Sequence, residues 1–137
     1  MMFVREHDYQ KAISRIKKTK NAYSRYDKGL ALYNKGNITD AEAYVRSALK
    51  QEPEEAHFHG LLAAIKADLG DFKEALEIYN KAVALNSEYF ALYLHRGLVK
   101  RELGDAFGAQ KDLERSVKLL PTVEGHYALG RIHMAKG

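Results

Sequence analysis

The sequence contains no cysteine and no tryptophan, and it has only two prolines among 137 residues. The lack of cysteine excludes disulfide bonds and cysteine-based zinc sites, although it leaves the cellular compartment open. No run of 18 apolar residues is present, and residues 1–10 lack the apolar stretch of a signal peptide. We therefore expect one soluble domain of ordinary size that is held together by packing.

The positive charge is concentrated at the start of the chain. The net charge is +4, and residues 1–21 hold six basic and two acidic side chains, which leaves 16 of each sign for residues 22–137. A nucleic-acid-binding protein needs a basic stripe along its binding face. The neutral body of the chain does not provide one, so we do not expect nucleic acid as a partner.

A period of 34 residues runs through the sequence. Glycines separated by 34, 34 and 33 residues occur at Gly36, Gly70, Gly104 and Gly137, and each of the first three precedes Asn or Asp. Small residues stand seven positions before these glycines and five positions after the first three: Gly29, Ala63, Gly97 and Gly130, and Ala41, Ala75 and Ala109. Small residues are needed where two antiparallel helices cross closely. The pattern predicts repeated units of helix, turn and helix.

The repeat resembles that of the tetratricopeptide repeat (TPR) proteins. Residues 56–89 carry the resemblance best, in the segments Leu69-Gly70-Asp71-Phe72 and Tyr79-Asn80-Lys81-Ala82. The resemblance covers residues 22–137 and implies an all-α TPR solenoid of antiparallel helix pairs. It assigns TPR 1 to residues 22–55, TPR 2 to 56–89 and TPR 3 to 90–122, followed by the first helix of a truncated fourth repeat at 123–137. The apolar face of that last helix should be partly exposed, which allows self-association.

Residues 1–21 fit no complete repeat. Tyr9, Ala12, Ile13 and Ile16 share one face of a predicted amphipathic helix that is flanked by lysine and arginine. This helix resembles the second helix of a repeat. It is interpreted either as a cap on the repeats or as a linker to an upstream domain.

The sequence predicts no catalytic or metal site. His57 and His59 lie two residues apart on a helix, so they cannot bind one ion from the same face. His126 and His133 share a face, but no third ligand stands at helical spacing. No HExxH, GxSxG or glycine-rich phosphate loop is present. We therefore expect no cofactor, no metal and no enzymatic activity in this chain.

The resemblance implies a protein or peptide partner, held in a concave groove lined by the first helix of each repeat. Tyrosine side chains suit this role because they combine a large rigid ring with a hydroxyl group. The groove residues implied by the family are Tyr23, Tyr26, Leu30, Tyr33, Asn34, His57, Ala64, Asp68, Leu94, His95, Leu98, Arg101, Tyr127 and Arg131. Packing of some of these residues against neighbouring helices is the alternative.

TPR domains that bind the acidic tails of heat-shock chaperones use lysine, asparagine and arginine at defined first-helix positions. The matching positions here hold Tyr26, Leu30, Leu61, Ala91 and His95, so this carboxylate clamp is absent. A chaperone-tail adaptor is therefore not expected.

A second resemblance concerns residues 23–62 and the segment Tyr93-Leu94-His95-Arg96-Gly97. These are similar to the carboxyl-terminal TPR tail of bacterial envelope zinc metalloproteases of the HExxH type, whose catalytic domain would lie upstream. This resemblance implies a substrate- or partner-recognition tail in the periplasm. A stand-alone scaffold would instead be cytoplasmic.

Overall fold

The computed structural model describes residues 6–135, and these residues form seven α-helices. Helices α1 (Glu6–Asn34) and α2 (Ile38–Gln51) belong to an amino-terminal unit that ends at Glu54. The carboxyl-terminal unit starts at Glu55 and contains α3 (Ala56–Asp68), α4 (Phe72–Leu85), α5 (Phe90–Glu102), α6 (Ala106–Leu119) and α7 (Val123–Ala135). The described residues thus have the predicted all-α architecture of helix pairs.

The turn between the two helices of each pair depends on glycine. Gly36, Gly70 and Gly104 have φ angles of +86°, +84° and +85°, a region that residues with a Cβ atom rarely adopt. At the second of these turns, the N–H of Gly70 donates to the Ala67 carbonyl at 3.0 Å and the N–H of Asp71 donates to the Lys66 carbonyl at 2.9 Å. These bonds satisfy carbonyl groups at the end of α3. The predicted repeated turns are confirmed at these three positions, whereas Gly137 lies outside the described residues.

Helix α1 is longer than the sequence predicts. The expected boundary between residues 21 and 22 does not coincide with a helix end, because α1 runs without interruption from Glu6 to Asn34. No proline or glycine stands between Lys17 and Ala22 to stop the helix. The predicted amphipathic helix is therefore the amino-terminal part of α1. Residues 1–5 and the side chain of Tyr9 lie outside the described part of the chain.

In the amino-terminal unit, α1 packs against α2 through small residues. Gly29 and Ala41 are both buried. A Cβ atom at Gly29 would lie 3.0 Å from a Val45 methyl group and 3.2 Å from the Ala41 carbonyl oxygen. The close approach of the two helices explains the small residue at this repeat position.

In the carboxyl-terminal unit, each helix packs against the next along the chain. Tyr79 and Ala82 of α4 lie in one core with Leu92 and Val99 of α5. A second core joins α5, α6 and α7 through Leu94, Ala109, Leu113, Ala128 and Ile132. The sequential packing leaves one side of α3, α5 and α7 uncovered by α4 and α6.

None of the helices within residues 6–135 is both long enough and apolar enough to cross a membrane.

Candidate functional site

The predicted groove residues of the amino-terminal unit form a continuous stripe on α1. Tyr23, Tyr26, Leu30 and Tyr33 follow one another at alternating spacings of three and four residues, which places them on one face. The rings of Tyr23 and Tyr26 meet edge to face with centroids 6.5 Å apart. Tyr23 is exposed, and Tyr26, Leu30 and Tyr33 are half-buried. Asn34, the last residue of α1, is exposed beside this stripe.

The carboxyl-terminal unit presents a separate face, which we call the first-helix face and define as the outward side of α3, α5 and α7. His95 lies on α5, in the middle of this face. Its exposed ring stacks on the buried ring of Tyr79, with centroids 6.5 Å apart and an angle of 20° between the planes. Tyr79 thus supports the ring from the side of the core.

Desolvation by the surrounding side chains lowers the pKa of His95 below its ordinary value of 6.5. The carboxylates of Glu124 and Asp68 oppose this effect and raise the pKa, but desolvation is the larger cause. His95 is therefore neutral near pH 7 and can both donate and accept a hydrogen bond.

Two neighbours of His95 give the face its amphipathic character. Leu98, one helical turn further along α5, is half-buried, and its inner side packs against the core shared with α6 and α7. Arg101 follows at the end of α5, where its guanidinium lies 3.9 Å from the Glu102 carboxylate. On α3, Ala64 is half-buried and Asp68 is exposed. Aliphatic, aromatic and charged groups are thus interspersed along α3 and α5.

His57 lies at the start of α3 and is half-buried. Its ring meets the ring of Tyr89 at 4.7 Å between centroids, and Tyr89 in turn contacts Phe90. The sequence analysis did not identify Tyr89, because it lies in the connection before α5 and outside the first-helix pattern. The sequence feature that could have identified Tyr89 is its aromatic side chain at the boundary between two repeats.

Helix α7 contributes Tyr127 and Arg131, and both side chains are exposed. The Arg131 guanidinium lies 6.0 Å from the centroid of the Tyr127 ring, which is within the range of a cation–π contact. Glu124 on the same helix is the carboxylate that acts on His95.

Leu94 does not belong to this face, and its predicted role in the groove is wrong. Its side chain is only 2% exposed and packs in the core with Leu113, Ala128 and Ile132. The residue is buried because α7 packs close to α5 and α6, a contact that the repeat pattern alone did not reveal. A partner cannot reach this side chain without displacing α7.

Within residues 6–135, the structure contains no group of three or more His, Asp or Glu side chains that could hold a metal ion. The first-helix face therefore offers shape, hydrogen-bonding groups and mixed charge. Such a face is suited to recognising another polypeptide.

These features define the class of protein as an α-helical repeat protein with an exposed first-helix face. Residues 26–89 match the family model described as the tetratricopeptide repeat. Residues 26–89 therefore carry tetratricopeptide repeats, and the described residues have the all-α TPR fold.

Parts of two other proteins are similar in sequence to this chain. The human DnaJ homolog subfamily C member 7 is 30% identical over 93 residues, which cover 68% of this chain and 19% of that protein. Bovine tetratricopeptide repeat protein 36 is 34% identical over 82 residues, covering 60% of this chain and 42% of the relative. The chain therefore spans less than half the length of either relative.

A solved structure extends the comparison to a bound peptide. The first TPR of Spaghetti (RPAP3), bound to the HSP90 peptide SRMEEVD, superposes with a TM-score of 0.81 at 27% sequence identity. The match covers 86% of this chain and 94% of that domain. That domain is a TPR that holds a peptide, and this chain shares its fold. The relatives named here do not include a metalloprotease, and the protease-tail interpretation stays a prediction.

Proposed function

We propose that the first-helix face of the carboxyl-terminal unit binds a segment of a partner protein, with His95 and Leu98 at the centre of the contact. The observation that carries this proposal is the environment of His95. A neutral, exposed ring stands on a rigid aromatic support and has an aliphatic side chain one turn away. Rigid aromatic groups of this kind contribute most to binding energy at protein interfaces.

The charges around His95 favour one class of partner segment. Asp68 and Glu124, from the two flanking helices, are the carboxylates that act on His95. A segment with apolar residues and a lysine or arginine would gain from these carboxylates, and a strongly acidic segment would be repelled. Arg101 and Arg131 lie further along the face, each beside a side chain of its own helix.

The same argument distinguishes this chain from its structural relative. The RPAP3 domain is bound to an HSP90 peptide that ends in EEVD. In this chain, the positions that match the carboxylate clamp hold the buried Leu61, the half-buried Ala91 and the uncharged His95. We therefore expect the peptide SRMEEVD to show no saturable binding to this chain in a fluorescence anisotropy titration. Tight, saturable binding would contradict the proposed specificity.

A pair of matched substitutions tests the location of the site. His95→Glu places a carboxylate at the centre of the first-helix face, and Ala84→Glu places the same charge on the exposed side of α4. Both positions are exposed, so both variants should keep the helical circular dichroism spectrum of the wild type. In affinity capture from source-cell extract with quantitative mass spectrometry, His95→Glu should lose the partners that wild type and Ala84→Glu retain. Equal capture by all three proteins would show that the partner binds elsewhere.

A further inference from the structure

Helix α7 has an open face at the position where every earlier first helix contacts its second helix. At Gly97 of α5, an added Cβ atom would lie 3.1 Å from Leu113 and 3.2 Å from the Ala109 carbonyl oxygen. At Gly130 of α7, the equivalent atom would meet nothing within 4 Å. Among the described residues, no helix packs on this side of α7.

Large apolar side chains near Gly130 are exposed, as expected for a first helix that no second helix covers. Val123 is 89% exposed and Met134 is 82% exposed, whereas the half-buried Leu129 packs against the core of α5, α6 and α7. The opposite side of the same helix is fully packed, since Ala128 and Ile132 lie in the core with α5 and α6. Helix α7 therefore has one packed side and one side that no other described helix covers.

The amino-terminal part of α1 is also exposed along its length. From Gln10 to Lys18, every side chain is exposed. Thr19 lies close to the end of α2, because its hydroxyl donates a 2.7 Å hydrogen bond to the Glu52 carboxylate just after α2. The exposed Ile13 and Ile16 lie on this part of α1. Ala12, Ile16, Thr19 and Tyr23 lie along one largely apolar face of this part of α1.

This exposed segment has the residue pattern of a second helix. The second helices α2, α4 and α6 each carry a small residue, a large residue four positions later and a small residue three positions after that. The buried sets are Ala41, Val45 and Ala48 in α2, Ala75, Tyr79 and Ala82 in α4, and Ala109, Leu113 and Ser116 in α6. Ala12, Ile16 and Thr19 repeat these spacings.

The residue before each second helix supports the similarity between residues 8–19 and a second helix. Asn37, Asp71 and Asp105 stand four positions before the first small residue of α2, α4 and α6. Asp8 stands four positions before Ala12. Residues 8–19 therefore reproduce the helix start and the contact pattern of a second helix, although they are joined directly to a first helix.

We propose that the segment 8–19 of one copy docks on the open face of α7 of a second copy and completes its fourth repeat. The contact would continue the helix pairing seen between α5 and α6, with Ala12 beside Gly130. Two different surfaces meet, so the association is head to tail, and a pair of copies keeps one free 8–19 segment and one free α7 face. The product is a chain of copies, or a ring where the geometry closes.

Charge favours this arrangement over a symmetric one. The segment 8–19 carries Lys11, Arg15, Lys17 and Lys18 against a single acid, Asp8. Two such segments would repel each other, whereas α7 carries one Glu124 and one Arg131 and presents no net repulsion. A contact between two α1 segments is therefore disfavoured.

The first test is the mass of the wild-type protein by size-exclusion chromatography with light scattering over a hundredfold dilution. The mass should rise with concentration from that of one copy to that of two or more. Ile16→Glu, on the docking face of α1, should abolish the rise, and the matched control Ser14→Glu, on the opposite face of the same helix, should retain it. A wild-type protein that stays monomeric at every concentration would overturn the proposal.

The second test uses the two ends separately. Gly130→Leu should block the face of α7 without an intramolecular clash, because no atom lies within 4 Å of the added Cβ. Arg131→Leu, on the neighbouring face, is its control. Ile16→Glu and Gly130→Leu should each be monomeric alone, yet an equimolar mixture should form a complex of two copies, because each retains the surface that the other lacks.

Other results of the mixing experiment would be equally informative. Association that is blocked by Gly130→Leu but not by Ile16→Glu would indicate a symmetric contact between two α7 helices and would contradict the proposal. A mixture that stays monomeric while the wild type associates would contradict it as well. Circular dichroism spectra equal to that of the wild type would establish that each variant is folded.

Discussion

The helix pairs α1–α2 and α5–α6 share one backbone contact but differ in the side chains beside it. In both pairs a glycine lies against the second helix, and its Cβ would be 3.2 Å from an alanine carbonyl oxygen. Next to Gly29, the Lys28 ammonium lies 4.9 Å from the centroid of the Tyr44 ring. Next to Gly97, Arg96 forms a two-pronged ion pair with the buried Asp112 at 2.7 and 2.8 Å.

The comparison distinguishes the glycine contact, which the fold requires, from the side-chain pair beside it, which can vary. The glycine contact recurs because the spacing of the helices leaves no room for a larger side chain. The neighbouring pair can be a cation–π contact or a buried ion pair, because each cation needs only a compatible group on the second helix. The framework of the repeat is therefore rigid at the crossing point and variable around it.

The largest expected effect comes from filling a crossing point. Gly97→Leu should lower the free energy of unfolding by about 3 kcal/mol, because the added side chain has to displace Leu113 or the α6 backbone. Gly130→Leu makes the same change on the open face of α7 and should alter stability by less than about 1 kcal/mol. Urea unfolding followed by circular dichroism measures both. Equal losses would contradict the distinction between closed and open positions.

A smaller loss is expected from the ion pair of α5 and α6. Asp112 binds both Arg96 and Lys100, so Asp112→Ala leaves two partly buried cations without their carboxylate. We expect a loss of about 2 kcal/mol, less than for a fully buried pair because both cations keep some contact with solvent. Glu74→Ala is the control. Its ion pair with Lys66 spans 3.9 Å and is half-exposed, and its loss should cost less than about 0.5 kcal/mol.

The hydrogen bond that links α1 to the end of α2 should contribute less again. Thr19→Val keeps the shape of the side chain but removes the donor to Glu52. We expect a loss of about 1 kcal/mol, measured by the same unfolding experiment. Thr39→Val, at an exposed position of α2, should show a smaller change. A cost at Thr39 as large as that at Thr19 would mean that the hydrogen bond contributes nothing specific.

The smallest expected effect is the pH dependence due to His95. Its pKa is lower in the folded state than in the unfolded state, so unfolding takes up a proton when the pH falls below about 6.5. The contribution of His95 to stability is complete above that pH and is lost on acidification. His95→Gln should therefore reduce the loss of stability between about pH 7.5 and pH 5.

The same residue offers a spectroscopic check. Because Asp68 raises the pKa of His95, Asp68→Asn should lower it further. The imidazole resonances of His95, followed by NMR during a pH titration, report this shift directly. A rise in the pKa of His95 would contradict the described electrostatics.

Much of the fold follows from local chemistry that is visible in the sequence. Gly36, Gly70 and Gly104 mark turns that need positive φ, and the small residues around Gly29 and Gly97 mark helix crossings. The continuity of α1 was not predicted, because the repeat pattern assigns a boundary at residue 21 where the chain has no helix-stopping residue. Local helix propensity prevailed over the repeat register at that point.

The recognition face was predicted less completely, because it depends on contacts between helices far apart in sequence. Leu94 occupies a first-helix position but is buried by α7. The support of His95 by Tyr79 and the contact of His57 with Tyr89 join residues 16 or more positions apart. The spacing of residues within a single helix predicts neither of these two ring contacts. Such pairings become visible only when the packing of successive repeats is known.

The most direct test of the proposed recognition face is site-specific photocrosslinking. A benzoylphenylalanine residue in place of Tyr127, which is exposed on the first-helix face beside the proposed centre of the contact, should form a covalent adduct with the partner on irradiation in source-cell extract. The same residue in place of Ala84, on the exposed side of α4, should form none. Adducts from position 84 alone, or equal adducts from both positions, would contradict the assignment of partner binding to the first-helix face.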